Sequence, residues 1–364
     1  MPRRGRQPAR WLRESHAVGS IGYWSRRYLE WLRVRHYAED TIKNRTVYLG
    51  MFLRWCEARA LGRPEEVTKP ILERYQRHLF YYRKNDGRPL SFRSQHGRLV
   101  TVRAFFKWLA KENVLLSNPA SEIELPRLER RLPRAVLTIS EAERVLAVPD
   151  VNDPLGLRDR TILEVLYGTG MRRKELVGLR LYDLDPERGT MLIRLGKGNK
   201  DRMVPVGERA MRWIETYLRD ARPKLVMPPD DAVLFVSHMG DAMLPNRLTE
   251  LVRDHVNASG VKKKGSCHLF RHTMATLMLE GGAEIRFIQE MLGHADVSTT
   301  QLYTQVSIQK LKEIHAATHP GAMLAKRKHD AGDDEREGAM DAAELLAVLD
   351  DEAGEEESEA TPRP

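Results

Sequence analysis

Cysteine is nearly absent: the 364 residues include only Cys56 and Cys267. Two thiols so far apart in the chain exclude a disulfide framework and any zinc module built on cysteine, and they fit a reducing compartment. Long apolar runs are missing as well. No stretch approaches the roughly 20 apolar residues of a membrane span. The basic start Met1-Pro2-Arg3-Arg4-Gly5-Arg6 leads into no apolar segment of a secretory signal. There are no internal repeats. Residues 325–364 hold no aromatic side chain and are acidic, so they have little with which to build a core and are expected to be disordered. What remains is a cytoplasmic, nucleoid-associated globular protein with no membrane contact, of a length for which two domains is the default.

Charge is unevenly spread. The whole chain carries +9, but residues 330–364 hold fourteen Asp and Glu against Arg336 and Arg363, a net of −12, which leaves +21 on residues 1–329. So basic a body points to a polyanionic partner, and nucleic acid is the first candidate. A ribosome-like or merely soluble basic protein is the alternative.

Periodicity divides the chain. Residues 1–18 are Arg-rich and read as a basic arm that orders only on DNA. Helical spacing is expected over 22–36, 41–60 (capped by Asp40), 69–83 (entered through Thr68 with Pro70 in the first turn) and 92–112 (capped by Ser91). These make a small helical bundle over 19–116. Arg93, Arg98, Arg103 and Lys107 lie on its fourth helix, where a solvated face competes with a DNA-facing one. Residues 117–138, with Pro119, Pro126 and Pro133 among four arginines, read as a basic linker, either an ordinary hinge or the joint of a clamp around a duplex.

A second domain is expected over 139–320. Ser140 and Glu143 form a capping-box pattern for a helix over 141–148, and a central apolar helix over 155–168 ends at Gly168-Thr169-Gly170. A short helix then runs to about Gly178. Residues 190–195 and 201–206 alternate as two strands of a hairpin whose turn is Gly196-Lys197-Gly198-Asn199-Lys200. Helices over 208–222, 245–258, 268–280, 284–292, 298–304 and 307–316 follow, with a short strand at 233–237. The fold class is mainly α with a small antiparallel β-sheet: an N-terminal helical bundle plus an α+β catalytic domain. Residues 321–364 form the acidic tail, in which Ala342, Leu345, Leu346 and Leu349 share a helical spacing that suits docking on an accessory partner.

The chemistry concentrates between Cys267 and Tyr303. His268 and Arg271 are three apart and share a helix face. His294 follows Leu292-Gly293, a helix C-cap signal, and Tyr303 lies nine residues further on. A phenol with an ordinary pKa of about 10 is a poor nucleophile at neutral pH, so positive charge must be gathered around it. Arg172, just after Gly170-Met171 at a helix start, is the candidate second guanidinium of a phosphate clamp, and Glu175 three residues on either orients Arg172 or His268 or faces solvent. His272 competes with His268 for the imidazole role. Lys197 and Lys200 compete as the hairpin lysine.

These motifs together resemble the tyrosine recombinases of the phage-integrase family, including the bacterial Xer enzymes. Gly170-Met171-Arg172-Arg173-Lys174-Glu175-Leu176 resembles the first arginine box and Gly196-Lys197-Gly198-Asn199-Lys200-Asp201-Arg202 the hairpin lysine motif. His268-Leu269-Phe270-Arg271-His272 resembles the second box, and Leu292-Gly293-His294 with Tyr303 the third. The resemblance covers roughly residues 20–320. It implies a site-specific recombinase in which Tyr303 attacks the scissile phosphate, giving a 3′-phosphotyrosyl bond and a free 5′-hydroxyl. Arg172 and Arg271 would hold the phosphate with His294, Lys197 would act as general acid, and His268 would assist proton transfer. It further implies double-stranded DNA as partner, a homo- or hetero-tetramer on two DNA sites, and no metal, ATP or other cofactor. Cys267 departs from the proline or small residue usual before His268 without removing a functional group. A type IB topoisomerase-like enzyme and a catalytically silent DNA-binding factor are the alternatives.

Overall fold

The structure, a computed structural model, describes residues 10–13, 16–127, 136–194, 201–293, 308–321 and 347–349. The chain divides into two compact units, one up to residue 129 and one from 130 to 363.

The first unit is helical: α1 (Arg10–Arg13), α2 (Ile21–Val34), α3 (Glu39–Glu57), α4 (Lys69–Tyr81) and α5 (Phe92–Lys111). Hydroxyl caps start two of them. Ser20 Oγ accepts from Tyr23 N at 3.2 Å and Ser91 Oγ from Ser94 N at 3.1 Å, each satisfying a donor the helix leaves orphaned. The expected Asp40 cap is not used: α3 begins two residues earlier, after Ala38, and Glu39 and Asp40 both lie in its first turn, where carboxylates favour the helix dipole. The core is aromatic. Tyr28, Phe52, Phe105 and Phe106 are buried, with Tyr28 edge-on to Phe105 at 5.6 Å and Phe52 edge-on to Phe106 at 6.0 Å. Arg98 lies over the Tyr48 ring at 5.0 Å and donates to Ser94 O, so its stem packs on the bundle.

Two expectations about the edges of this unit are corrected. The stretch 1–18 is not wholly an arm awaiting DNA, because Trp11 on α1 is buried in the aromatic core. The indole removes its large apolar area from water without any partner molecule. The stretch 117–138 is not linker throughout either. Ala120 and Ile123 belong to the same core, Glu122 pairs with Lys69 at 2.6 Å, and Gln76 donates to Glu124 O. At the far end Leu137 is buried in the second unit and its N–H reaches Thr273 Oγ1 at 3.0 Å. Apolar residues at the ends of a Pro-rich segment are enough to dock them. Arg130, Arg131 and Arg134 lie outside the described residues.

The second unit starts with α6 (Ile139–Leu146). Its capping box is Thr138 with Glu141, two residues before the Ser140–Glu143 pair expected. Lys263 also binds Glu141, and Val136 O, which holds the chain entering the helix. The axis of the unit is α7 (Pro154–Thr169), buried on nearly every face between α9 (Glu208–Asp220) and α12 (Cys267–Glu280). Between them in sequence run α8 (Arg173–Gly178), the three-stranded antiparallel sheet β1 (Leu184–Asp185), β2 (Thr190–Ile193), β3 (Arg202–Pro205), and, after α9, α10 (Arg222–Leu225) and α11 (Pro245–Ala258). Strands β2 and β3 pair with Thr190 opposite Pro205 and Ile193 opposite Arg202. The expected strand at 233–237 makes only isolated bridges, from Val233 to Arg180 and from Val236 to Ala242. Leu234 and Phe235 are buried there as an apolar strand would be, but their neighbours are loops and helices.

Helices α13 (Ile285–Leu292) and α14 (Ile308–Thr318) close the unit. A second apolar cluster joins α12 to α13 through Met274, Met278, Phe287, Ile288, Met291 and Leu292, and Leu349 from the acidic tail is buried in it. The rest of the tail, with Leu345 and Leu346, lies outside the described residues. Leu349 at 0% exposure changes what the tail is for: at least one turn of it packs on the body instead of only solvating it. Leu349→Ala should therefore cost a few kcal/mol of local stability, at the low end of the ~2–5 kcal/mol of buried leucine truncations. Amide exchange in α13 is expected to quicken by at least about tenfold as local opening becomes easier. Unchanged exchange would return the tail to a purely solvating role.

Candidate active site

Two breaks in helices bring the site together. α7 ends at Gly170, which takes a left-handed φ of 58°. A side chain there would be strained by that φ, and a Cβ would lie 2.4 Å from Met274 Cε, so the methionine would have to shift. The tight exit delivers Arg172 to the N-cap position of α8, one residue past Met171. α13 ends the same way at Gly293, φ 66°, as the Leu292-Gly293 signal predicts.

Glu175 is the hub between them. Its carboxylate accepts from Arg172 N at 2.9 Å and Arg172 Nη1 at 3.0 Å. It also accepts both prongs of the Arg202 fork, Nη1 at 2.9 Å and Nη2 at 2.8 Å. Burial pushes this carboxyl up, but the hydrogen bonds and charge of Arg202, followed by the charges of Arg172 and Arg271, outweigh it and hold the group at about 2. Of the alternatives the sequence left open for Glu175, the structure selects orientation of Arg172. Its side chain is 6% exposed, not on a solvated face. The backbone N–H of Arg172 is also taken by Glu175.

Arg271 is buried on α12 at 1% exposure, one turn after His268 at 7%. Its guanidinium donates to Gly170 O at 2.7 Å and to Leu292 O at 3.0 Å. It thus fastens the end of α7 to the end of α13. Arg202 reaches the end of α13 from the sheet, with Nε on Met291 O at 3.1 Å, and ties it to Glu175 of α8. Two cations therefore sit on the last carbonyls of α13, where the helix dipole favours them. His272 is buried at 4% on the same helix as His268.

Lys197, His294 and Tyr303 lie outside the described residues. Their flanks are described. The hairpin that carries Lys197 is closed at its base by Ile193 opposite Arg202. Residues 294–307 begin just after Gly293 and end at α14, which is latched to the same neighbourhood: His315 Nε2 meets Gly168 O at 2.7 Å and Lys312 donates to Arg188 O. Burial lowers the His315 imidazole to about 4, so it is neutral at ordinary pH and donates to that carbonyl from Nε2. Among the described residues no group of three or more His, Cys, Asp or Glu is placed to hold a metal ion.

Arg202 is the residue that sequence reasoning passed over. It stands within the hairpin motif, yet nothing in the motif shows that a strand arginine turns inward onto a carboxylate contributed by α8. No signal in the sequence marks it: the burial that lets Glu175 hold a second cation appears only in the fold.

The model of the "Phage integrase family" matches residues 135–310, and that of "Phage integrase, N-terminal SAM-like domain" matches residues 24–115. Tyrosine recombinase XerC 2 of Ralstonia nicotianae is 48% identical over 317 residues, 86% of this chain and 91% of that protein. The chain belongs to the phage integrase family of tyrosine recombinases. Tyrosine recombinase XerD of Pseudomonas putida is 36% identical to it over 75% of this chain and 88% of that one. Among solved structures, a lambda integrase tetramer bound to a Holliday junction superposes with a TM-score of 0.58 at 17% identity, covering 79% of this chain and 80% of its own. That likeness is one of fold, and it agrees with a mainly helical recombinase bearing a small antiparallel sheet. Site-specific DNA recombination is accordingly the activity of this tyrosine recombinase, rather than relaxation by a topoisomerase or silent binding.

Proposed function

We propose that this tyrosine recombinase cuts and rejoins duplex DNA through Tyr303. The observation that carries the proposal is the gathering of Arg172 and Arg271 at the joined ends of α7 and α13, with His268 one turn away on α12. The Tyr303 oxygen forms a bond to the scissile phosphorus as the bond from phosphorus to the 5′ oxygen breaks. The phenol proton passes toward His268 while Lys197 protonates the departing 5′ oxygen, so no proton is gained or lost overall. Arg172 and Arg271, helped by His294, stabilise the charge that accumulates on the non-bridging oxygens in the transition state. The phosphotyrosyl bond conserves the energy of the phosphodiester, and the reverse attack by a 5′-hydroxyl from another strand completes the exchange. Such an exchange calls for two duplex sites held by four protomers, identical or of two kinds, acting on nucleoid DNA in the cytoplasm. The tail is the surface through which an accessory protein would act. Among the described residues no helix is long and apolar enough to cross a membrane.

The test is a nicked duplex from which the cleaved fragment diffuses away. The expected product is protein linked to a 3′ phosphate, with a 5′-hydroxyl on the released fragment that accepts a labelled phosphate without prior dephosphorylation. A 5′-linked adduct would reject the assignment. Binding should also be strongly ionic: six to ten phosphate contacts imply a loss of about 10³–10⁵ in affinity between 50 and 200 mM salt. A flat dependence would remove the charged body of residues 1–329 from the interface.

A further inference from the structure

We propose that Arg202 is a positioning residue for the phosphate clamp, tying Arg172 through Glu175 to the end of α13, so that one guanidinium sets both the clamp and the departure of the chain toward His294 and Tyr303. This rests on the function proposed above and extends it to a residue with no part in the chemistry itself. The geometry uses the whole guanidinium edge: Nη1 and Nη2 on the two Glu175 oxygens, and Nε on Met291 O. The Arg202 side chain is 12% exposed, so these bonds form largely out of water, where they hold most firmly. Glu175 accepts its two other hydrogen bonds from Arg172, so a shift of Arg202 is passed to the clamp through a single carboxylate. On the other side Gly293 lies against Arg202. A Cβ at Gly293 would stand 2.8 Å from Arg202 Cζ and Nη1, in a backbone conformation that already resists side chains.

Arg202 also follows the hairpin of Lys197, and the same residue in a purely structural role would close that hairpin or simply stabilise the unit. The chemistry of the scissile group separates these roles. A clamp arginine works on the negative charge of the phosphate, so its value falls when one non-bridging oxygen is replaced by a methyl group. A general acid works on the leaving oxygen, so its value falls when that oxygen is replaced by sulfur. A structural loss follows neither substitution.

The experiment compares Arg202→Lys with the wild-type chain in single-turnover covalent trapping on three nicked duplexes: phosphodiester, methylphosphonate and 5′-bridging phosphorothiolate. Lysine keeps the charge and loses the fork. On the phosphodiester the variant is expected to be about 10²-fold slower, the scale of a misplacement near 1 Å. On the methylphosphonate the deficit should shrink to less than about tenfold by the same reasoning, and on the phosphorothiolate it should persist. Gly293→Ala, which presses on Arg202 from the opposite side, should give the same pattern and serves if Arg202→Lys fails to fold. A deficit equal on all three duplexes, or restored only by sulfur, overturns the proposal, as does a variant within threefold of wild type on the phosphodiester. Absence of trapping by the wild-type chain would instead overturn the underlying function.

Discussion

Tyr303→Phe is expected to abolish covalent trapping on a nicked duplex while changing duplex affinity by less than about threefold. The substitution removes one oxygen and keeps the ring. Losing the nucleophile of a covalent mechanism removes the reaction path itself, and single removals of that kind cost up to about 10⁶ in rate. Binding is governed by phosphate contacts spread over a basic body, to which one phenol adds little. The check is denaturing electrophoresis of the adduct beside a gel-shift titration of the same preparation. Trapping that survives in the variant would mean another side chain is the nucleophile, and peptide mapping of the adduct would name it.

Glu175→Ala should be the most damaging change outside the nucleophile, for stability as well as cleavage. It removes the acceptor of four donors, three of them guanidinium N–H groups. Arg172 and Arg202 would then face each other, with the Arg271 charge nearby, in a site where the side chains are 11% and 12% exposed. Removing one partner of a buried ion pair typically costs about 3–5 kcal/mol. For a unit of this size that lowers the melting temperature by roughly 10 °C. Glu175→Gln keeps the shape and loses the charge, so an intermediate loss is expected. The pH dependence has a definite sign. The folded group sits at about 2, below its ordinary 4.5. Its contribution is therefore present above pH 4.5 and is lost as pH falls from there toward 2, about 3 kcal/mol in all. Thermal melts of wild type and Glu175→Gln should converge across that window. Parallel curves would show that Glu175 is not the carboxylate that holds the arginines.

Much of this molecule was legible in the chain. The helices of both units follow apolar periodicity, and the breaks at Gly170 and Gly293 were marked by residues that tolerate a left-handed turn. The pairing of His268 with Arg271 follows from helical spacing alone. Two helix starts were displaced by local capping, and the larger failures share one cause: burial that depends on a distant partner. Trp11 and Ile123 looked like parts of an arm and a linker, because their neighbours in sequence are polar while their neighbours in space are apolar. Leu234 and Phe235 looked like a strand because a short apolar run does not reveal what covers it. Leu349 sits in an acidic segment whose composition predicts disorder, yet one apolar side chain finds a place between α12 and α13.

The sequence by itself determined the family, the candidate groups for the site, and the helices that carry Arg172, His268 and Arg271. Side-chain chemistry and helical period are local properties, and the motifs are short. Only the tertiary structure decided that Glu175 binds two arginines at once, that Arg271 joins the end of α7 to that of α13, and that Arg202 reaches in from the sheet to the same carboxylate. Apart from the Arg172–Glu175 pair, those are contacts between residues 21 to 101 positions apart. No local rule specifies them, because they arise from packing α7, α8, α12, α13 and β3 against one another.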